Sequence, residues 1–434
     1  MPSLSVHPQT ALADISRRIV LDGFAPGAEV TVTALSRQPD GSVWKSAARF
    51  QTDAGGAADL SQTAPLRGSY EGVAPDGLLW SQSLLADDHP ESGAAPARAG
   101  LTDPIAVQLT ATDGAHTAHG VLTQVLAAEG VTRREVREAG IVGTLFTPAA
   151  AHAPAIVVLN GSNGGINEER AALLASHGYA ALALGYFGAP GLPGNLANIP
   201  LEMFRDALAW LRRTVRPASD FVAVSGHSRG GELSLLLGAT FPEAVSAVVA
   251  YVPSSVVHGV LNAGPAGKGR FLTAWTLNGQ PVQAHVWQDN PAQDWSVVDS
   301  LPEPRRQALA FVRAQRDAAA VARARIPVER IAGPVLLLSG GDDGYWPSTD
   351  YAAAIVQTLQ AARHPYPVVH RDFPEAGHAI QAPHVPTTRI SQAHAVSGIV
   401  LTGGGNAAVN ASANEESWRT VLAFLAEAVA ARLK

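Results

Sequence analysis

Five adjacent residues, Gly226-His227-Ser228-Arg229-Gly230, carry the sharpest chemical signal in the chain. They spell G-x-S-x-G, a pattern that chance alone produces roughly 0.2 times in a chain of this length and composition. The setting gives it weight. An apolar run over 221–225 precedes it and a Leu-rich run follows, the strand–turn–helix context of a nucleophile elbow. Glycines flank the serine because the turn is tight and side chains there would strike the neighbouring strand and helix. A hydroxyl is a poor nucleophile until a base takes its proton, and the base needs an acid to orient it.

In such a fold the partners follow in the order Ser, Asp or Glu, His. The apolar run 334–339 ends in Gly340-Gly341-Asp342-Asp343, which sets a carboxylate at a strand's C-terminal end. The run 367–371 is followed by Phe373-Pro374-Glu375-Ala376-Gly377-His378. Ser228, Asp343 and His378 are therefore the expected nucleophile, acid and base. Asp342 is the competing acid, read otherwise as a turn or capping residue. His384 and His394 also lie downstream, but neither follows a strand as closely, and His227 is expected to pack within the elbow. Two donors must meet the oxyanion: the backbone N–H of Arg229, and one from the turn Asn160-Gly161-Ser162-Asn163-Gly164-Gly165, where Ser162 is the candidate. No Lys-Ser/Thr follows that turn, which excludes a phosphate-binding P-loop.

The elements around these residues fall into two styles. Over the first ~130 residues, short alternating apolar stretches at 15–21, 29–36, 43–51 and 105–112 are separated by turns such as Pro26-Gly27, Asp53-Ala54-Gly55-Gly56 and Asp113-Gly114. That spacing predicts an antiparallel β-sandwich over 1–128, with a loop over the Ala/Pro/Asp-rich stretch 87–100. From 131 to 434 strands alternate with amphipathic helices, the mark of a parallel sheet. Strands are expected at 155–159, 179–184, 221–225, 248–252, 334–339 and 367–371, and helices at 168–177, 201–213, 232–237 and 418–433. The boundary falls near 127–130.

Composition narrows the rest. A chain of 434 residues suggests two or three domains. With 47% hydrophobic and 16% charged residues, global disorder is excluded. There is no cysteine, which removes disulfides, thiolate metal sites and a cysteine nucleophile. A net charge of −6 argues against a nucleic-acid partner. The start, Met-Pro-Ser-Leu-Ser-Val-His, lacks a basic region with an apolar core, and no apolar run reaches about 18 residues. No signal peptide and no membrane span are expected, and the expected location is the cytoplasm. Neither a cofactor nor a metal is called for.

With these motifs in place, the chain resembles the acyl-CoA thioesterase / bile acid-CoA:amino acid N-acyltransferase family over nearly its whole length. The N-terminal half carries Gly23-Phe24-Ala25-Pro26-Gly27, Ala64-Pro65-Leu66-Arg67-Gly68-Ser69-Tyr70-Glu71-Gly72-Val73 and Gly77-Leu78-Leu79-Trp80-Ser81. The C-terminal half carries Gly164-Gly165 with Glu168 and Arg170, then Ile326-Pro327-Val328-Glu329-Arg330, Gly340 to Asp343 with Trp346, and Ala376-Gly377-His378. Gly403-Gly404 and Trp418 with Phe424-Leu425 complete the similarity. The resemblance implies an immunoglobulin-like sandwich followed by an α/β-hydrolase domain, with the triad on Ser228, Asp343 and His378. Two departures stand out: Arg229 replaces the lysine that often follows the nucleophile, and the segment 262–325 matches the family poorly.

What the resemblance implies chemically is hydrolysis of an acyl-CoA or related acyl thioester by a serine enzyme. Conjugating members of the family use cysteine. CoA is anionic, so a local basic group is expected to meet it, with Arg229, Lys268, Arg270 and Arg389 as candidates or else as solvated charges. Phe271, Trp275, Trp287 and Trp295 either line an acyl pocket or, for most of them, pack. The alternatives are a carboxylesterase, peptidase-like hydrolase or acyltransferase on another activated acyl group, and a silent binding protein that uses the sandwich as its surface. Fold and triad alone do not separate the enzymes.

Overall fold

The computed structural model describes residues 1–38, 40–86, 89, 93 and 102–433, so most of the loop expected over 87–100 lies outside the described residues. The chain divides into two units. One comprises Met1–Glu129, Gln381–Arg389 and Asn406–Glu415; the other comprises Gly130–Ile380, Ile390–Gly405 and Glu416–Lys434. The main cut falls between Glu129 and Gly130, and two short C-terminal stretches group with the N-terminal unit.

In the N-terminal unit, strands Ser3–His7, Arg18–Asp22 and Ala58–Asp59 form one antiparallel sheet. A second sheet runs in the order Thr10–Leu12, Thr117–Val125, Ile105–Thr112, Glu29–Arg37, Val43–Gln51, Arg67–Gly68. Alternation explains the arrangement: Val30, Val32 and Ala34 point inward from Glu29–Arg37 while the residues between them are partly exposed. Leu4, Ile19 and Leu21 of the first sheet join Val32, Phe50, Val107 and Leu109 of the second in one apolar cluster. Each large side chain buried there contributes about 1.5–3 kcal/mol.

The second unit is organised by an eight-stranded sheet. Its strands are β1 (Thr132–Glu138), β2 (Ile141–Thr147), β3 (Ala155–Leu159), β4 (Ala180–Gly185), β5 (Val222–His227), β6 (Ala247–Tyr251), β7 (Val335–Gly340) and β8 (Val368–Phe373). They lie in the order β1-β2-β4-β3-β5-β6-β7-β8. β1, β2 and β4 pair antiparallel and the remaining pairs are parallel. The strands β3, β4 and β6 are buried throughout, as expected for a sheet covered on both faces. β1, with the sequence TRREVRE, buries only Val136; its charges suit an edge strand and hide it from a search for apolar runs.

Helices α1 (Glu168–Ser176), α2 (Glu202–Val215), α3 (Arg229–Thr240) and α4 (Ser348–Ala361) connect these strands. On α2 the residues Phe204, Leu208 and Leu211 recur at helical spacing and are all buried, with Arg216 closing the helix in the left-handed region. The segment after β6 carries short helices at Ser296–Asp299, Ala308–Ala314 and Ala318–Ala324. Its side chains Trp287, Trp295 and Phe311 close around Trp346 and Tyr351 in a separate apolar cluster. A two-stranded hairpin, Ser391–Ala393 with Val400–Thr402, follows β8. No helix among the described residues is long and apolar enough to cross a membrane.

Candidate active site

β5 runs into α3 through a turn with almost no room. A Cβ on Gly226 would come within 2.1 Å of the Gly230 carbonyl oxygen, and one on Gly230 within 2.4 Å of the Asn160 carbonyl oxygen. Between them Ser228 adopts φ 60°, ψ −119°, a conformation that costs an L-residue about 1–3 kcal/mol. The strain is held by the Ser228 N–H, which donates to Tyr251 O at 2.9 Å, and by the Ser228 carbonyl, which accepts from Glu232 N–H at 3.0 Å. Ser228 faces a small pocket that it shares with Ser162, Arg229, Tyr345, Trp346 and His394.

Asp343 and His378 meet beyond the ends of β7 and β8. Both carboxylate oxygens of Asp343 reach His378 Nδ1, at 2.9 and 2.8 Å, and both side chains are almost fully buried. Oδ1 also accepts the N–H groups of Tyr345 and Trp346, at 2.8 and 3.2 Å. A carboxylate only accepts, so Nδ1 carries the imidazole proton and Nε2 keeps its lone pair. Nε2 is shielded from solvent and has no hydrogen-bond partner among the described residues. The His378 ring stacks on Tyr345 at 4.4 Å between centroids. Tyr345 also lines the Ser228 pocket, so one side chain borders both Ser228 and His378.

The other sequence candidates fall elsewhere. Asp342 turns outward, where Arg306 and the Gly405 N–H bind it at 2.8 and 2.6 Å. Burial alone would raise its carboxyl, but those two partners hold it below its ordinary value. His227 donates from Nε2 to His378 O at 2.9 Å and so fixes the loop that carries His378. Its enclosure, with His378 beside it, pushes its pKa well below the usual imidazole value. His384 lies in the N-terminal unit, with Nε2 3.3 Å from Asp76 and Nδ1 2.9 Å from Ala13 O. His394, by contrast, reaches the pocket: its Nε2 is 3.0 Å from Ser162 Oγ.

The turn after β3 is pinned from several sides. Tyr186 Oη donates to Asn160 O at 2.6 Å, and Asn160 Nδ2 donates to Gly164 O at 2.5 Å. Gly164 and Gly165 sit at φ 68° and 81°. No backbone acceptor among the described residues takes the Ser162 N–H. The Arg229 N–H, first in α3, has no intrahelical acceptor by position.

Arg229 itself departs from its expected role as a cation for CoA. The side chain is 2% exposed, its Nη1 donating to Glu232 at 2.7 Å and its Nη2 to His258 O at 3.2 Å. Trp275 Nε1 completes Glu232 at 2.9 Å. Burial pushes Arg229 down and Glu232 up from their ordinary values, and each opposes that for the other. The i,i+3 spacing of the two residues on one helix is the signal by which this pair can be found in sequence. Arg270 is likewise engaged, with Asp299 at 3.0 Å and over the Trp295 ring, whereas Lys268 and Arg389 are exposed. Trp275, Trp287 and Trp295 are packed in the interior, while Phe271 is exposed.

A mostly parallel sheet with a serine elbow after β5, an aspartate after β7 and a histidine after β8 places this unit in the α/β-hydrolase class. Residues 14–138 match the family described as acyl-CoA thioester hydrolase/BAAT N-terminal region, and residues 199–431 match BAAT / acyl-CoA thioester hydrolase C terminal. The second match runs through 262–325. Acyl-coenzyme A thioesterase 6 of Mus musculus is 31% identical, over 97% of this chain and 96% of its own length. Acyl-coenzyme A thioesterase 1 of Mus musculus is 31% identical over 94% and 91%, and its Homo sapiens namesake 32% over 94% and 92%. Among solved structures, the α/β hydrolase MGS-M1 from a Medee basin deep-sea metagenome library is similar at TM-score 0.37 and 16% identity, over 58% of this chain and 85% of that one. The chain belongs to the acyl-CoA thioester hydrolase family.

Proposed function

We propose that this enzyme hydrolyses acyl-CoA thioesters through an acyl-enzyme on Ser228. The observation that carries the reading is the His378 imidazole: its Nδ1 proton is held by Asp343 while Nε2, bare of partners, is bordered by the same Tyr345 that lines the Ser228 pocket. His378 Nε2 takes the Ser228 proton as Oγ attacks the thioester carbonyl. The oxyanion rests on the N–H groups of Arg229 and Ser162. The C–S bond breaks, His378 returns its proton to the leaving CoA thiolate, and Asp343 stabilises the imidazolium in between. A water deprotonated by the same Nε2 then releases the acid.

Serine as nucleophile favours water as acceptor. An oxoester on Ser228 passes to water, whereas a thioester on cysteine is the better donor to amines, and the chain has no cysteine. The N-terminal unit we read as an immunoglobulin-like sandwich, supported by its two sheets, antiparallel but for the pairing of Thr10–Leu12 with Thr117–Val125, around one apolar cluster. The test is release of free thiol from acyl-CoAs of graded length by the parent and by Ser228→Ala. Release that vanishes with Ser228 is expected. Absence of thiol release, with p-nitrophenyl ester hydrolysis still dependent on Ser228, would replace the thioesterase with a general esterase.

A further inference from the structure

His394 and Ser162 form a pair that the triad does not use, and their hydrogens can be assigned. His394 sits at the turn of the hairpin Ser391–Ala393/Val400–Thr402 and is 5% exposed. Its Nδ1 accepts two backbone donors, Val396 N–H at 3.2 Å and Ser397 N–H at 3.4 Å. A backbone N–H cannot accept, so Nδ1 has no proton and the ring is neutral, its one proton on Nε2. Burial acts in the same direction, lowering the imidazole to about 4. Nε2–H therefore donates to Ser162 Oγ across the 3.0 Å contact. His394 cannot then be a general base at this site. A second bond, Ala395 N–H to Asn163 Oδ1 at 3.2 Å, fastens the same hairpin to the turn that carries Ser162.

A hydroxyl that accepts from His394 keeps its own proton to give. Ser162 lines the pocket with Ser228, and its Oγ has no other protein partner among the described residues. We propose that the Ser162 hydroxyl is a third oxyanion donor, beside the two backbone N–H groups, and that His394 is the positioning residue that directs the O–H toward the reacting carbonyl. The proposal rests on Ser228 being the nucleophile. It assigns the side chain of Ser162 a role of its own and explains why a buried histidine faces the turn after β3.

Steady-state thiol release from one acyl-CoA by the full chain tests it. Ser162→Ala is expected to lower kcat about 100- to 1,000-fold, the effect of losing one oxyanion donor, with KM changed less than about threefold because the bond strengthens only as charge develops. His394→Phe should reproduce that loss, and the double variant should be no slower than either single one. His394→Gln, whose amide can donate in place of Nε2–H, should recover most of the activity. A Ser162→Ala enzyme within about twofold of the parent in kcat, or losses that multiply in the double variant, would overturn the proposal. Ser228→Ala separates the levels. If it is silent while Ser162→Ala is unimpaired, only the hydroxyl's role falls; if it stays active, the triad reading falls as well.

Discussion

Replacing Asp343 by Asn removes one charge and leaves the shape of the site intact, and the structure determines which way the new amide must face. Oδ1 receives two backbone N–H groups, from Tyr345 and Trp346, as well as lying 2.9 Å from His378 Nδ1. An amide NH2 in that position would oppose two donors, so the Asn oxygen stays there and its NH2 takes the place of Oδ2, 2.8 Å from Nδ1. Nδ1 must then accept. The imidazole proton moves to Nε2, the atom that has to take the Ser228 proton. The base is present but in the wrong tautomer, and the imidazolium loses its counter-charge. The same exchange in Ser-His-Asp enzymes lowers kcat about 10⁴-fold, or about 5 kcal/mol of transition-state stabilisation. Single-turnover thiol release, with thermal unfolding as a control for folding, measures it. Asp342→Asn is the companion: that carboxylate pairs with Arg306 at the surface, a contact worth about 0–1 kcal/mol, and kcat should stay within about twofold. Asp343→Asn activity above a tenth of the parent, or an equal loss in Asp342→Asn, would refute the assignment of the acid.

Gly230→Ala places a Cβ 2.4 Å from Asn160 O, so backbone must shift at the elbow; a lower Tm with activity reduced at least tenfold is expected, and an unchanged Tm would contradict the packing argument. Glu232→Leu leaves the Arg229 guanidinium buried and unpaired and should cost about 3–5 kcal/mol by denaturant unfolding, while Arg229→Met with Glu232→Leu should cost less than that single change; equal costs would mean the pair is not coupled. Acid stability follows from His394, whose pKa is lowered from 6.5 to about 4 by burial. The unfolded chain binds that proton first, so stability is present above about pH 6.5 and is lost as pH falls toward 4, by up to about 3 kcal/mol for this group. His227 and His258, also pushed down by burial, act in the same direction. The readout is therefore the difference between parent and His394→Gln, which should show the shallower decline; parallel curves would disprove the contribution.

Legibility in the sequence follows how local each signal is. The elbow is readable because strand, tight turn and helix stand side by side in one pentapeptide and its flanks, and its glycines are demanded by contacts of 2.1 and 2.4 Å. Asp343 and His378 are readable as residues that follow the neighbouring parallel strands Val335–Gly340 and Val368–Phe373, since the ends of such strands converge on one edge of the sheet. The strand Thr132–Glu138 is not, because five of its seven residues are charged and surround a single buried Val136. Thr117–Val125 escapes for a related reason: Thr, His and Gln interrupt the alternation that marks Glu29–Arg37. The closing helix, Ala407–Arg432, begins well before the expected 418 because its first turns, Ala407 to Asn414, offer small and polar residues without an apolar period.

The two histidines of the site show a further limit that no spacing rule removes. His378 and His394 are the same residue type, and both are nearly fully buried. What separates a base from a donor is the atom opposite Nδ1. A carboxylate oxygen there puts the proton on Nδ1 and leaves Nε2 with its lone pair, as the proposed base requires. A backbone N–H there puts the proton on Nε2, which then gives it to Ser162. The carboxylate is 35 residues from His378 in the chain and Ser162 is 232 from His394, so the protonation pattern belongs to the folded contacts. A sequence can nominate both histidines; only the hydrogens of their neighbours assign them opposite work.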